Sequence, residues 1–317
     1  MDAPVGTVSI DISPVFDALY WAFILATLLS GITIVQGWVY INNCERDHWI
    51  LRLFVMILIL ADLLTTSLDL MVLHFSLIKN FGNLEPLGHI ITAASVEFAL
   101  TLVVVFLVQL FFASRIYMFK KERWWIPGMI VFFAAVGLGV GAVEVVEMFR
   151  FPVMSYLTTA KSKILLGISG FFSAFVDIII TISLSWTISS AKVGVKHTDT
   201  LLQKLLVYIV SRGLLVSITQ VLFLIIYLWR PGSPNWAPFH FASSKIYVIT
   251  VVAMLNGRHV LREQQGGNVF SSSTMFTDSG PRDRVPAQRI VVRKTIELGR
   301  FEDDIELGVD GKHTGVD

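Results

Sequence analysis

The sequence predicts an all-α integral membrane bundle of seven transmembrane helices, and three observations carry that prediction. Seven apolar stretches fill most of residues 16–256. The 317 residues are 54% hydrophobic and only 15% charged, with a mean hydropathy of +0.69. A soluble domain carries about 25% charge, and here the deficit is concentrated in the stretches themselves. Their cores are Phe16–Ile41, Ile50–Leu73, Ile90–Ala113, Trp124–Val143, Ile164–Ile188, Leu205–Trp229 and Ala237–Leu255. Each holds about 19 to 26 residues, against the roughly 20 that cross a ~30 Å hydrocarbon core. No water satisfies a backbone there, so each run is expected to be helical.

The first helix follows a short N-terminus, residues 1–15, without Lys or Arg. The positive region of a cleavable signal is missing, so this helix is expected to insert uncleaved. Asn80-Phe81-Gly82-Asn83 reads as a turn after the second helix. Pro127 falls in the first turn of the fourth, where a missing N–H is harmless. Thr198 or Asp199 can cap the sixth. Arg230-Pro231-Gly232-Ser233-Pro234 separates it from the seventh. Residues 257–317 are polar, with Ser271-Ser272-Ser273-Thr274 and an acidic end, and predict a mostly disordered cytoplasmic tail. Arg293-Lys294-Thr295 in that tail is a short basic kinase-like match.

Loop charge sets the orientation. Alternate loops on the tail's side carry eleven Lys and Arg, including Arg115, Lys120, Lys121 and Arg123, against five on the other side. The positive-inside rule places the N-terminus outside and the C-terminus in the cytoplasm. Trp38, Tyr40, Trp49, Trp124, Trp125, Trp229 and Trp236 are expected as interfacial anchors. A single cysteine, Cys44, excludes an intramolecular disulfide. No Asn-x-Ser/Thr sequon occurs. A net charge of +1 without a basic domain argues against a nucleic-acid partner.

An ionisable group inside a span is costly unless paired or hydrated, so it marks a candidate site. Six qualify: Asp62 and Asp69 on the second helix, Glu97 on the third, Asp177 on the fifth, Arg212 on the sixth and Lys245 on the seventh. Asp62, Thr66 and Asp69 recur at i, i+4, i+7 and share a face. Ser169, Ser173, Asp177, Thr181 and Ser185 recur every four residues, a stripe that faces the interior. Its hydroxyls are equally the ordinary means of helix–helix bonding. At 1.5 Å per residue from the cytoplasmic flank, Arg212 lies at about 12 Å, Asp62 at about 15 Å, and Lys245 and Asp177 at about 20 Å. Asp69 and Glu97 lie at about 26 Å. Side chains lean toward their helix N-terminus, which carries Lys245 toward Asp69 or Glu97 as its partner. Arg212 leans toward the cytoplasm and snorkels, with Asp62 as its nearest deep carboxylate. Glu144 and Glu147 are expected at the outer interface, His240 carries no weight of its own, and Gly137 with Gly141 reads as close helix packing.

A lysine on a seventh helix invites a retinal Schiff base with Glu97 as counter-ion. The sixth helix has no interior Trp or Pro for such a pocket, and no cofactor is expected. The Asp/Glu-Arg-Tyr and Asn-Pro-x-x-Tyr marks of the largest G-protein-coupled receptor family are not met by Ser114-Arg115-Ile116-Tyr117 and Met254-Leu255-Asn256-Gly257-Arg258. HExxH, P-loop and GxSxG motifs are absent, so an enzyme is not expected.

Two blocks carry a family likeness. The first is Thr198-Asp199-Thr200-Leu201, then Tyr208, then Gly213-Leu214-Leu215-Val216-Ser217. The second is Ser244-Lys245-Ile246-Tyr247 followed by Met254-Leu255-Asn256-Gly257-Arg258. Leu60-Ala61-Asp62, Asn80-Phe81-Gly82 and Val108-Gln109 through Phe112-Ala113-Ser114-Arg115 add to them. Together they resemble a fungal (basidiomycete) membrane family known as domain of unknown function 6534. The resemblance implies a fungal seven-helix protein and no particular activity. The expected roles are a receptor or sensor binding a small ligand within the bundle, a proton- or solute-coupled transporter using the interior charges, or a non-catalytic interaction protein. The lipid bilayer, expected to be the plasma membrane, a small-molecule ligand and a cytoplasmic partner of the loops and tail are the expected partners.

Overall fold

The computed structural model describes residues 13–43, 47–80, 88–119, 124–190, 196–230 and 232–273, without the side chains of 13–16, 188, 190, 196–209, 212 and 258–273. Two units divide the chain, Met1–Phe270 and Ser271–Asp317. Of the second only residues 271–273 are described, so the tail with Arg293-Lys294-Thr295 lies outside the described residues.

Seven α-helices are described: α1 (Ser13–Asn43), α2 (Trp49–His74), α3 (Thr92–Phe119), α4 (Trp125–Arg150), α5 (Ala160–Ser190), α6 (Lys196–Trp229) and α7 (Ala237–Ser273). No strand occurs among the described residues, only an isolated bridge between His89 and Val153. Six helical segments are long and apolar enough to cross a bilayer: Asp17–Asn43, Trp49–Lys79, Thr92–Met118, Trp125–Arg150, Ala160–Thr187 and Pro234–Gly257. In α6 the apolar run among described residues is Gly213–Trp229. The protein is a multi-pass helical membrane protein.

Helix ends depart from the apolar limits where polar residues find partners. A π-turn, Phe75–Lys79, prolongs α2, and Asn80 closes it by donating its backbone N–H and side-chain amide to the Phe75 carbonyl at 3.2 and 3.0 Å. Phe81–Asn83 of the expected turn lie outside the described residues. Helix α4 runs on to Arg150, past the apolar limit at Val143. Its start at Trp125 puts Pro127 in the first turn, as expected. Helix α6 begins at Lys196, so Thr198 and Asp199 lie inside its first turn rather than ahead of it as caps. Helix α7 continues past Asn256 to Ser273.

Large apolar side chains such as Trp21, Leu28, Leu60, Phe132, Ile182 and Leu214 stand exposed on the rim, as lipid contact requires. Trp38, Trp49, Trp124, Trp125 and Trp229 are likewise exposed. Tyr40 and Trp236 are not anchors. Tyr40 is buried and donates to Asp47 at 3.2 Å, and Trp236 turns inward against Tyr227 and His240. Helices α3 and α7 occupy the middle, with 56% and 78% of their apolar windows buried. Small residues bring the helices together. A Cβ on Gly141 stands 2.7 Å from Leu102 Cδ1 and 2.9 Å from Ser169 Oγ, so α3, α4 and α5 meet there only because the side chain is a hydrogen.

One end of the bundle is closed by turns. The Ile90 N–H donates to the Pro152 carbonyl at 3.0 Å, and a 3-10 turn, Met154–Thr158, buries Tyr156 and Leu157 against Ile90, Phe98, Met148 and Phe223. The start of α7 packs Ala237 and Phe241 on Ala22 and Ala26 of α1 at this same end.

Candidate functional site

Helix α7 is buried from His240 through Val248 without interruption. Its polar side chains therefore need partners within the protein. Lys245, wholly buried, donates to Asp69 Oδ2 at 3.0 Å and to Thr65 Oγ1 at 2.8 Å. Of the two carboxylates within its expected reach, Asp69 is the partner. Glu97 is already engaged: its Oε1 accepts from Thr101 at 2.8 Å, and its Oε2 lies 3.0 Å from His240 Nε2. The lysine ammonium thus bonds a carboxylate and a threonine, and that carboxylate is Asp69 rather than Glu97.

Thr65 passes the contact on by donating to the Asp62 carbonyl at 2.9 Å. The Asp62 carboxylate accepts from Ser30 of α1 at 2.8 Å. Arg212 lies on α6, but its side chain is outside the described residues, so its expected lean and pairing are not placed.

Asp177 meets a partner that charge alone does not reveal. The buried Tyr247 hydroxyl donates to Asp177 Oδ2. Ser173 Oγ lies 3.4 Å from that hydroxyl, and Gln109 of α3 donates to Ser173 at 3.3 Å. The stripe on α5 accordingly divides its contacts. Ser169 bonds the Gly137 carbonyl of α4 at 2.9 Å, Ser173 and Asp177 serve α7, and Thr181 turns back to the Asp177 carbonyl at 2.8 Å. Ser185 Oγ is buried without a partner among the described residues.

His240, like Tyr247, is a site residue that sequence reasoning passed over. It stacks on Phe98 with centroids 4.3 Å apart, and Phe223 and Trp236 close around it at 5.6 and 5.9 Å. The available signal was its spacing: His240, Ser243 and Tyr247 recur at i, i+3, i+7 and so share a face.

That face borders a chamber of about 50 Å³ between α3, α5, α6 and α7. Its polar wall is Thr101, Ser169, Ser173, Gln220, His240 and Ser243, and Phe98, Leu102, Val105, Leu166, Gly170 and Phe223 complete it. A smaller cavity of about 20 Å³ reaches Gln109 from the other side of Ser169 and Ser173. Val108, Phe112, Val176, Ile180, Val216 and Val251 form part of a buried apolar core.

A second polar cluster lies at the turn-closed end. Glu144 is not interfacial but wholly buried, because α4 continues beyond it and Ser162 and Tyr156 donate to it at 2.6 and 3.0 Å. Tyr227 joins at 2.9 Å from Ser162 and donates to the Leu157 carbonyl at 2.7 Å. Burial, and then the Glu144 carboxylate that accepts its proton, push the Tyr156 phenol above its ordinary range. Glu147 stays nearer the surface, 2.7 Å from Lys161 and 3.5 Å from Arg150. Among the described residues no group of three or more His, Cys, Asp or Glu could hold a metal ion.

No curated protein and no solved structure matches the chain. Residues 173–260 match the model of a Family of unknown function (DUF6534). The matched segment holds Ser173, Asp177, Gln220, His240, Ser243, Lys245 and Tyr247, whereas Asp62, Asp69 and Glu97 precede it. Over that segment, which spans the end of the bundle from α5 to α7, the chain is similar to the DUF6534 family of unknown function.

Proposed function

We propose that this chain is a receptor- or sensor-like protein of seven spans in the plasma membrane of a fungal cell, with its N-terminus outside and its C-terminus in the cytoplasm, that binds a small polar ligand in the chamber beside α7. The observation that supports this reading is the position of His240. It walls the chamber while holding Glu97, on a helix that runs the length of the bundle. An occupant that bonds His240 or Ser243 more strongly in one arrangement of α7 than in another shifts α7 toward that arrangement.

The size of the chamber limits the ligand. Pockets for drug-sized ligands run to about 300–1,000 Å³, and this one has about 50 Å³. At roughly 10–15 Å³ per water-sized occupant, it takes an occupant of about three to five heavy atoms. With at most about 1.5 kcal/mol per heavy atom, a four-atom ligand binds no tighter than roughly 10⁻⁵–10⁻⁴ M. The test is a thermal-unfolding screen of purified protein against small alcohols, amines, amides and carboxylates at millimolar concentration, repeated with Ser243→Leu, which fills the chamber. A compound that stabilises the wild type and not the variant supports the reading. Equal stabilisation of both, or of neither, refutes it.

The second reading is a proton- or solute-coupled carrier, favoured by Asp62, Asp69, Glu97, Asp177 and Lys245 all lying inside spans. A carrier needs a wet route from each side, and the buried apolar core around Val108, Phe112 and Val251 speaks for the sensor instead. Solute or proton flux into liposomes reverses that preference. A chain with neither ligand nor flux is a non-catalytic interaction protein acting through its loops and tail.

A further inference from the structure

His240 and Tyr247 stand two turns apart on one face of α7, so they are separated by about 10 Å along the helix. Each holds a carboxylate from a different helix: Glu97 of α3 at His240, and Asp177 of α5 at Tyr247. The chamber lies between the two pairs. His240 and Ser243 wall it from α7, Thr101 from α3 and Ser173 from α5. Thr101 also donates to Glu97, and Ser173 Oγ lies 3.4 Å from the Tyr247 hydroxyl. Both pairs therefore reach the chamber through groups that donate and accept hydrogen bonds.

A buried cavity holds water when it is polar and roomy enough, with each water needing about 10–15 Å³ and two to four partners. About 50 Å³ that offers four hydroxyls, an amide and an imidazole along one part of an otherwise apolar wall has room and partners for about three to five waters. Three waters at hydrogen-bond spacings of roughly 2.8 Å cover the distance between the pairs.

We propose that the chamber is hydrated and that its waters complete a relay carrying a proton between the Glu97–His240 pair and Asp177. With His240 protonated, the proton leaves the imidazolium for a chamber water and passes to Ser173 Oγ as the Ser173 proton moves to Tyr247. The Tyr247 proton moves at the same time to Asp177 Oδ2. Serine and tyrosine end as neutral hydroxyls, His240 ends neutral, Asp177 ends as the acid, and the interior charge is unchanged. The transfer moves one charge by about a third of the ~30 Å hydrocarbon thickness, so it responds to membrane potential.

Among the described side chains, the other interior charged groups are held elsewhere; Arg212 of α6 lies outside them. From α2, Asp69 is engaged with Lys245, which points away from the His240–Tyr247 face of α7, and Asp62 is held by Ser30. From α6, Gln220 and Phe223 face the chamber and neither titrates. On α4, Glu144 is bonded by Ser162 and Tyr156.

The relay uses the chamber but no ligand, so the ligand screen can fail while the relay stands. Full-length protein in nanodiscs, followed by infrared difference spectroscopy, provides the test. Asp177→Asn assigns the protonated Asp177 carboxyl band, and its hydrogen–deuterium exchange is timed after mixing into D2O. Ser173→Ala and the chamber-filling Ser243→Leu are expected to slow that exchange at least tenfold, with Glu97→Gln identifying the second band. Exchange within twofold of wild type in Ser173→Ala, a small change that preserves packing, overturns the proposal even where Ser243→Leu fails to fold. So does the lack of any protonated Asp177 band across the pH range in which the protein is folded.

Discussion

Replacing Lys245 with methionine keeps most of the side-chain volume and removes the charge. Two bonds are lost, 3.0 Å to Asp69 and 2.8 Å to Thr65. Thr65 keeps its own bond to the Asp62 carbonyl, so the damage falls on Asp69. One carboxylate oxygen of Asp69 is already buried without a partner among the described residues, and the substitution deprives the other of its cation. Breaking a buried pair by removing one member costs about 3–5 kcal/mol, because the remaining charge is stranded. Replacing both members with hydrocarbon removes that charge too, and is commonly neutral or better. Lys245→Met is therefore expected to lower stability by about 3–5 kcal/mol, and Lys245→Met/Asp69→Leu to recover most of it. Equilibrium unfolding of the purified protein in mixed detergent micelles, run as a double-mutant cycle, gives the coupling directly. The reasoning fails if Lys245→Met lies within about 1 kcal/mol of wild type, or if the two single effects simply add.

Three further outcomes follow from other parts of the bundle. A Cβ on Gly213 stands 2.6 Å from Thr181 Cγ2, so Gly213→Ala should lower stability by about 1–3 kcal/mol; Thr181→Ala should relieve it, as thermal unfolding of the pair will show. The raised Tyr156 phenol keeps its proton in the folded protein while an unfolded tyrosine loses its own near pH 10. Its contribution is present below about pH 10 and is lost as pH rises further, so Tyr156→Phe should flatten the alkaline fall in unfolding free energy. Cys44, the one thiol in the chain, falls in sequence between α1 and α2; on the proposed topology an impermeant maleimide should label it only after cells are permeabilised, and labelling of intact cells reverses that topology.

The helices were legible because hydrocarbon thickness imposes a length, and every predicted apolar core overlaps an observed helix. Their ends were less so. Glu144, Glu147 and Arg150 interrupt the hydropathy of α4 but not its backbone, since Glu144 finds Ser162 and Tyr156 and Glu147 finds Lys161. The Lys245–Asp69 pair followed from depth and side-chain lean. Depth left Glu97 as an equal choice, because linear position fixes a level in the bilayer and not the rotation of a helix. Rotation gives Glu97 to His240, an imidazole that carries no fixed charge and sits near a helix start. Tyr247 was missed for a related reason: its hydroxyl ranks with the aromatic core until Asp177 is seen beside it.

Helix α7 gathers three of the interior carboxylates, each from a different neighbour: Asp69 of α2 through Lys245, Glu97 of α3 through His240 and Asp177 of α5 through Tyr247. At 3.6 residues per turn, His240 and Tyr247 lie nearly in line while Lys245 lies some 140° around the helix. The lysine side anchors α7 to α2, and the other side borders the chamber. Small rotations of α7 strain contacts on both sides at once, so any second arrangement must exchange partners rather than drift. The two sides should separate by substitution. Lys245→Met removes the anchor and leaves the chamber wall intact, so it should lower stability yet spare chamber binding and exchange. His240→Gln alters the wall and leaves the Lys245–Asp69 contact, so it should change both chamber readouts while the Lys245–Asp69 coupling energy persists. If each substitution instead moves both properties in proportion, α7 acts as one packed unit and the chamber has no role of its own.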